Sequence, residues 1–317
     1  MKWERTRLKN RSGDSVQASM PLVVSASRRT DIPSHYSCAF KRRLEQGYTK
    51  CTSRFGGSYY ISFAKARFFV FWTKHISTDF FGCLENLAKK SIGFYFFYTL
   101  NAYDSEGLEP NLPGLQSRID RFKELADVVG KERVLWRFDP LILTEATTVD
   151  VLLEKLKFTG DRLHQCTDKL VFSFADIDTY RHVKANMGRS GIAYHEWDTD
   201  SMTELARGLQ GLADTWGITA ASCSEVADFE GIGHNRCIDD GLIKKIASHD
   251  AALMAFLDSN NSKTDPGQRK ACRCIPSMDI GQYNTCRSLC SYCYENTSPE
   301  AVASRSTGIL QDSDGIP

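Results

Sequence analysis

The sequence contains no run of the roughly 18 apolar residues that a membrane-spanning helix requires, and so predicts no contact with a membrane. It also lacks a charge excess: 40 basic residues face 39 acidic ones, a formal net charge of +1. Net charge therefore does not indicate nucleic acid as a partner, although a local basic patch is compatible with it. The basic start, MKWERTRLKNRSGD, is not followed by the apolar core of a signal peptide, and the expectation is a soluble, cytoplasmic protein. No GxGxxG follows a strand-like run, and neither G-x-S-x-G nor a P-loop occurs, which argues against Rossmann dehydrogenases, serine hydrolases and P-loop ATPases. Histidine forms no HxH or HExxH pattern, and His35, His75 and His234 read as structural.

What is present is apolar and aromatic. Hydrophobic residues make up 42% of the 317, with 18 Phe, 12 Tyr and 5 Trp, enough for one large core. From Pro21 one layout repeats, a short apolar run ending in polar residues and followed by a helical pattern. The runs are Leu22 to Ala26, Phe68 to Trp72, Phe94 to Leu100, Val134 to Phe138, Leu170 to Phe174 and Ile218 to Ser222. Alternation of this kind predicts an α/β fold, a complete or partial TIM-like parallel βα barrel, with an open doubly wound sheet as the other arrangement. Tyr36, Phe40 and Leu44 share a helix face closed by Gly47; Leu115, Ile119, Phe122, Ala126 and Val129 share another, closed by Gly130. Ser201 and Glu204 read as a capping box before the stripe Leu205, Leu209, Leu212 and Trp216, and a last helix runs from about Gly241 to Leu257. The expected organisation is a flexible extension over 1–20, the barrel over 21–258, a linker and cysteine-rich segment over 259–296 and a disordered tail over 297–317.

Seven of the 11 cysteines lie late in the chain, at 223, 237, 272, 274, 286, 290 and 293, a placement that suits metal ligation in a reducing compartment better than disulfides. CRSLCSYCY gives Cys286, Cys290 and Cys293 the spacing C-x3-C-x2-C, with Tyr292 before the third. Three thiolates this close suit three corners of a 4Fe-4S cluster, leaving an iron able to bind and reductively cleave S-adenosylmethionine. Zinc is the alternative, with Cys272, Cys274 or His234 completing four ligands. Cys223, Cys237, Cys272 and Cys274 could also form a second metal site, or supply the ligand that closes the first. Cys38, Cys51, Cys83 and Cys166 read as buried or free thiols.

Each strand-like run ends in polar residues, which a parallel barrel gathers at one mouth. Arg28, Arg29, Lys74 and Arg137 offer a cationic mouth for a carboxylate or phosphate, joined by Asp31 and Asp139. Glu225 is a candidate for an amino group or ribose hydroxyl, and Tyr292 and Asn284 are candidate cofactor contacts. Any one of these groups alone would more often be a helix cap or a surface ion pair.

The C-x3-C-x-aromatic-C pattern resembles that of the radical S-adenosylmethionine enzymes, in most of which it lies early in the chain. SASRRTDIP, FWTK, LEPNLP, WRFDPLILT, the strand ending at Cys223 and Glu225, and DIGQYNTC with CSYCY together resemble a bacterial and archaeal domain-of-unknown-function family numbered 1848. The resemblance covers about Leu22 to Asn296; it departs at SRFGGSYY, where such proteins usually carry an Arg-Asn-Pro-Phe segment. It implies a barrel-like fold and a C-terminal iron-sulfur segment, and no established reaction. The leading expectation is a radical S-adenosylmethionine-like enzyme acting on a small or anionic substrate, served by an electron donor such as ferredoxin or flavodoxin. A fully cysteine-ligated electron-relay or structural iron-sulfur protein and a zinc-stabilised barrel hydrolase or lyase, or a nucleic-acid-binding module, are the alternatives.

Overall fold

Strands apolar on both sides dominate the centre of the molecule, as expected where both faces of a parallel sheet are covered. In the computed structural model, residues 3–53, 56–260, 264–265, 267–269, 271–309 and 314–316 are described. The chain starts with a hairpin of β1 (Arg5–Lys9) and β2 (Ser15–Ser19), then β3 (Val23–Ala26), α1 (Ile32–His35) and α2 (Ser37–Gln46). After β4 (Tyr48–Thr52) and β5 (Ser58–Ser62), strands and helices alternate: β6 (Phe68–Thr73), α3 (Phe81–Lys89), β7 (Gly93–Thr99), α4 (Leu115–Val129), β8 (Val134–Leu141), α5 (Val149–Leu163) and β9 (Lys169–Phe174). Next come α6 (Arg181–Ser190), α7 (Thr199–Trp216), β10 (Thr219–Ser222), the two-residue β11 (Gly233–His234), α8 (Asp240–Ala247), α9 (Ala251–Asn260), β12 (Met278–Asp279) and α10 (Pro299–Ile309).

The large sheet has eight strands in the order β11-β10-β9-β8-β7-β6-β3-β12, and every pairing in it is parallel. Spatial neighbours from β6 to β11 are also neighbours in strand sequence, so successive right-handed crossovers put the intervening helices on one face. That face is one buried cluster, in which Phe69, Phe71, Phe96, Trp136 and Phe172 meet Phe40, Ile119, Leu156 and Leu209 of the helices. Alternate residues, Phe68, Val70, Tyr95, Phe97 and Val171, build a second cluster on the opposite face, covered by Ile243 and Ala247 of α8 and Leu253 and Leu257 of α9. Edge strands β11 and β12 share no ladder, so the sheet is not a closed barrel.

All six apolar runs become strands of this sheet. Gly47 and Gly217 end α2 and α7 in left-handed conformations, φ 84° and 67°, as helix-terminating glycines do. The cap of α7 is Asp198, whose side chain accepts from the Ser201 N–H, so Ser201 is not the cap. The expected single helix after β11 is two, because Asp250 accepts from the Leu253 N–H and starts α9.

Two segments expected to be flexible are structured. Residues 5–19 form the β1–β2 hairpin, whose Ala18 and Ser19 pair with β5 in a four-stranded sheet ordered β1-β2-β5-β4; only one side of RTRLK and SVQAS is covered, so few apolar residues mark them. The tail forms α10 and then packs 314–316 against β4. Tyr48 donates to Asp314 at 3.0 Å, Arg43 lies 3.5 Å from it, Gly315 bridges to Lys50 and Ile316 is fully buried. Parts of the expected linker (261–263, 266, 270), of the departing segment (54–55) and of the termini (1–2, 310–313, 317) lie outside the described residues.

Candidate metal and substrate site

The cysteine-rich segment returns to the carboxyl ends of the strands through a fixed sequence of contacts. β12 adds to β3, and Asp279 beside it is the joint: Oδ1 accepts from Ser27 Oγ at 2.7 Å and from Gly281 N at 3.0 Å, and Oδ2 from Arg28 N at 2.8 Å. A Cβ on Gly281 would stand 1.9 Å from Ser27 Oγ, so only glycine permits this approach. Beyond it, Tyr36 donates to the Thr285 carbonyl, His35 Nε2 lies 3.0 Å from Ser288 Oγ, Asn111 Nδ2 donates to the Arg287 carbonyl at 2.9 Å and Ser291 N donates to the Leu108 carbonyl at 2.9 Å. Leu108 and Asn111 lie in LEPNLP, a segment whose work is thus to hold the cysteine loop.

Tyr292 is the hub. Its hydroxyl accepts from Lys74 Nζ at 2.7 Å and from Asn101 Nδ2 at 3.0 Å, and donates to Glu109. Lys74 lies 2.9 Å from Glu109 Oε1, and the fully buried Arg118 lies 2.9 Å from Glu109 Oε2. Burial opposes a charge on Glu109, but Lys74 and Arg118, with hydrogen bonds from Tyr292 and Lys74, outweigh it and hold the carboxyl below its usual range. The Tyr292 hydroxyl, read from sequence as a cofactor contact, is committed to this anchor.

Other expected site residues divide into those facing the strand ends and those spent on structure. Asp139 accepts from Ser173 Oγ at 3.0 Å and pairs with Arg137, while Asn101 Oδ1 receives the Asp139 N–H at 2.9 Å. Lys74, Asn101, Arg137, Asp139 and Ser173 thus come together from the ends of β6 to β9. Arg28 stacks over Trp72 and sits 3.8 Å from Asp265; Arg29 stacks over Tyr283 and donates to the Gly281 carbonyl at 3.3 Å. Asp31 caps α1 through Ser34 N and binds Thr73 Oγ1 at 2.8 Å and Lys74 N at 2.7 Å, and burial raises its pKa to about 6. Glu225 accepts from Phe174 N at 3.0 Å, and burial raises its pKa also. Asn284 takes φ 59° and accepts from Thr297 N at 2.6 Å and Thr297 Oγ1 at 2.9 Å, a turn-holding role.

Cys286, Cys290 and Cys293 are held close together. Burial pushes each thiol up, Cys293 to about 12; Asp31 adds to this at Cys286, Glu109 with Cys286 and Cys293 at Cys290, and Cys286 at Cys293. Their loop is fixed through its backbone: Asn296 Nδ2 donates to the Cys286 carbonyl at 2.8 Å and Asn186 Nδ2 to the Cys293 carbonyl at 2.7 Å. Among the described residues, no three His, Cys, Asp or Glu side chains stand in the finished arrangement of a metal site. Of the three clustered cysteines, Cys290 is buried and Cys286 and Cys293 are half-buried. Cys272 and Cys274, the expected closing ligands, face each other and Cys237, and His234 pairs with Asp228 at 2.7 Å. All 11 cysteines are free; Cys51 and Cys83 are buried, Cys166 is half-buried and Cys38 is exposed.

Glu109, Arg118 and Asn186 have roles the sequence did not assign. Glu109 had a signal in LEPNLP, whereas nothing in a single sequence marks Arg118 or Asn186.

No curated protein matches the chain. Among solved structures it is similar to a putative alpha-L-fucosidase from Bacteroides thetaiotaomicron, at 11% identity over 90% of this chain and 94% of that one, with a TM-score of 0.30, too low to bear on fold or activity. The model of a family described as Domain of unknown function (DUF1848) matches residues 23–295, from β3 through the clustered cysteines, and the chain belongs to that family.

Proposed function

We propose that the chain is a radical S-adenosylmethionine-like iron-sulfur enzyme on a partial βα barrel, with Cys286, Cys290 and Cys293 holding a 4Fe-4S cluster. When bound, the cluster would supply one-electron reductive cleavage of a sulfonium carbon–sulfur bond. The observation that carries the reading is the anchoring of Tyr292 to Lys74 and Asn101, which lays the cysteine loop across the carboxyl ends of β6 and β7 despite its late position in the chain. Active sites of parallel βα folds are built at those ends.

The chain's own residues would then act in distinct ways. Arg137 offers a guanidinium group to a carboxylate or phosphate, while Asp139 and Glu225 can receive an ammonium or hydroxyl. Lys74, Glu109 and Tyr292 hold the loop, and Lys74 and Glu109 neutralise each other's charge within it. Electrons would come from a ferredoxin- or flavodoxin-type donor. A relay with four cysteine ligands is less well supported, because Cys272 and Cys274 face away to Cys237.

The test is anaerobic. The full chain is reconstituted with iron and sulfide, reduced with dithionite and mixed with S-adenosylmethionine. The expected product is 5'-deoxyadenosine, abolished by Cys290→Ala. A loaded, reduced protein that forms none and shows no spectral change on addition would overturn the reading.

A further inference from the structure

The other four late cysteines converge where the two edges of the open sheet approach. Cys223 follows β10 and Cys237 follows β11 at one edge, while Cys272 and Cys274 precede β12 at the other. The edges share no ladder, but Ile275 N donates to the Ile238 carbonyl at 3.1 Å, and the thiols meet beside that bond. Cys223 Sγ lies 3.5 Å from Cys237 Sγ; Cys237 in turn contacts Cys274, and Cys274 contacts Cys272. We propose that Cys223, Cys237, Cys272 and Cys274 form a tetrathiolate site for a single zinc ion, separate from Cys286, Cys290 and Cys293, that clasps the two edges of the sheet together.

Three observations carry this. Zinc–sulfur bonds of about 2.3 Å in a tetrahedron put thiolates roughly 3.8 Å apart, close to the 3.5 Å between Cys223 and Cys237, whereas thiolates on the corners of a cubane stand much farther apart. Cys274 Sγ already accepts two backbone N–H groups, from Cys237 at 3.2 Å and Ile238 at 3.3 Å, and Asn235 Nδ2 donates to Cys237 Sγ at 3.4 Å. Donors aimed at sulfur stabilise thiolate over thiol and orient it as outer partners of metal sites do. Finally, a divalent ion with four thiolates carries two negative charges in a largely buried place, and cations surround it: Arg28 faces Cys274 and Cys237, Arg137 and Arg269 face Cys223, and Lys169 faces Cys237 and Cys223. Arg28 Nη2 is buried and has no hydrogen-bond partner among the described residues. The four side chains are linked in a file rather than arranged around one point, so binding requires them to turn inward.

The experiment uses the full chain carrying Cys286→Ala, Cys290→Ala and Cys293→Ala, which removes the first set of thiols and separates this proposal from the preceding one. Purified from zinc-supplemented medium without oxygen, the variant should hold one equivalent of zinc and no acid-labile sulfide. Cobalt exchange should give the intense visible and thiolate-to-metal bands of a tetrahedral tetrathiolate. Alkylation in the native protein should leave these four thiols protected until a chelator is added, a readout that does not depend on a variant folding. Cys223→Ser with Cys237→Ser should lose the zinc while the natural triad still takes up iron. Absence of zinc, iron with labile sulfide in the triple variant, or a Cys223–Cys237 disulfide in the anaerobic protein would each overturn it.

Discussion

Lys74 Nζ donates a 2.7 Å hydrogen bond to the hydroxyl of Tyr292, tying the residue before the last clustered cysteine to the end of β6. The same hydroxyl receives Asn101 at 3.0 Å. Tyr292→Phe removes an acceptor shared by the half-buried Lys74 and the buried Asn101, and a buried donor left unsatisfied costs about 1–3 kcal/mol. In urea unfolding the variant should be less stable by that amount, and it should hold less iron after reconstitution. Unchanged iron loading with an unchanged midpoint would show that the hydroxyl does not anchor the loop.

Glu109 is a stronger test of the same region. It is buried between Lys74 at 2.9 Å and Arg118 at 2.9 Å. Glu109→Ala removes the carboxylate that Lys74 and the buried Arg118 share, leaving Arg118 only its pair with Asp104 at 3.0 Å, and breaking a buried pair in this way costs about 3–5 kcal/mol. Because Arg118 is itself fully buried, the double variant Glu109→Leu with Arg118→Met should recover much of the loss measured in chemical unfolding. A double variant as unstable as the sum of the singles would mean the two residues act independently.

How much of this the sequence disclosed follows from how local each signal is. Six strands were legible because runs such as FFVFW and FYFFY are apolar on both faces, a pattern fixed by burial alone. The hairpin and the 314–316 strap were not, since RTRLK is half exposed and Asp314 is held by Tyr48 and Arg43 from a distant part of the chain. In the site, the cysteine spacing gave the triad, and the quoted motifs contained Glu109, Asp279 and Gly281. Their partnerships were hidden because each joins segments more than 30 residues apart or, for Arg118, looks like any polar helix residue. Asn284 reads as a candidate cofactor contact, and the turn it holds, at φ 59° with Thr297 bonded to its side chain, has no local mark in the sequence.

His35 should make stability pH-dependent. Burial, then Arg287 and His75, lower its pKa from 6.5 to about 4. The unfolded chain therefore takes up this proton first as pH falls, so the contribution of neutral His35 is intact above 6.5 and is lost as pH drops toward 4. A shift of that size corresponds to at most about 3 kcal/mol. Asp31, raised to about 6 by burial, has the opposite sign: its contribution is complete at low pH and is lost as pH rises from 3.8 through 6. Comparing wild type with His35→Asn isolates the histidine. The difference between them should grow steadily less favourable to wild type from pH 6.5 to 4, and a pH-independent difference would remove His35 as the cause.

The last prediction concerns the joint that returns the cysteine segment to the sheet. Gly281 lies so close to β3 that an added Cβ would meet Ser27 Oγ at 1.9 Å and Ser27 Cβ at 2.5 Å, with Thr30 Cγ2 at 3.2 Å. Neither serine atom can swing far, because Ser27 Oγ is held by Asp279 at 2.7 Å. Gly281→Ala must therefore push β12 off β3 or break that bond, at the cost of about 1–3 kcal/mol typical of overpacking. Ser27→Gly removes both clashing atoms and also the donor to Asp279, so alone it should destabilise modestly. Combined, the two substitutions should be markedly less destabilising than their sum, because the second makes room for the first. Urea unfolding of the four proteins closes the cycle; additive effects would show that Ser27 does not set the glycine requirement, and the joint would have to be held by Thr30 instead.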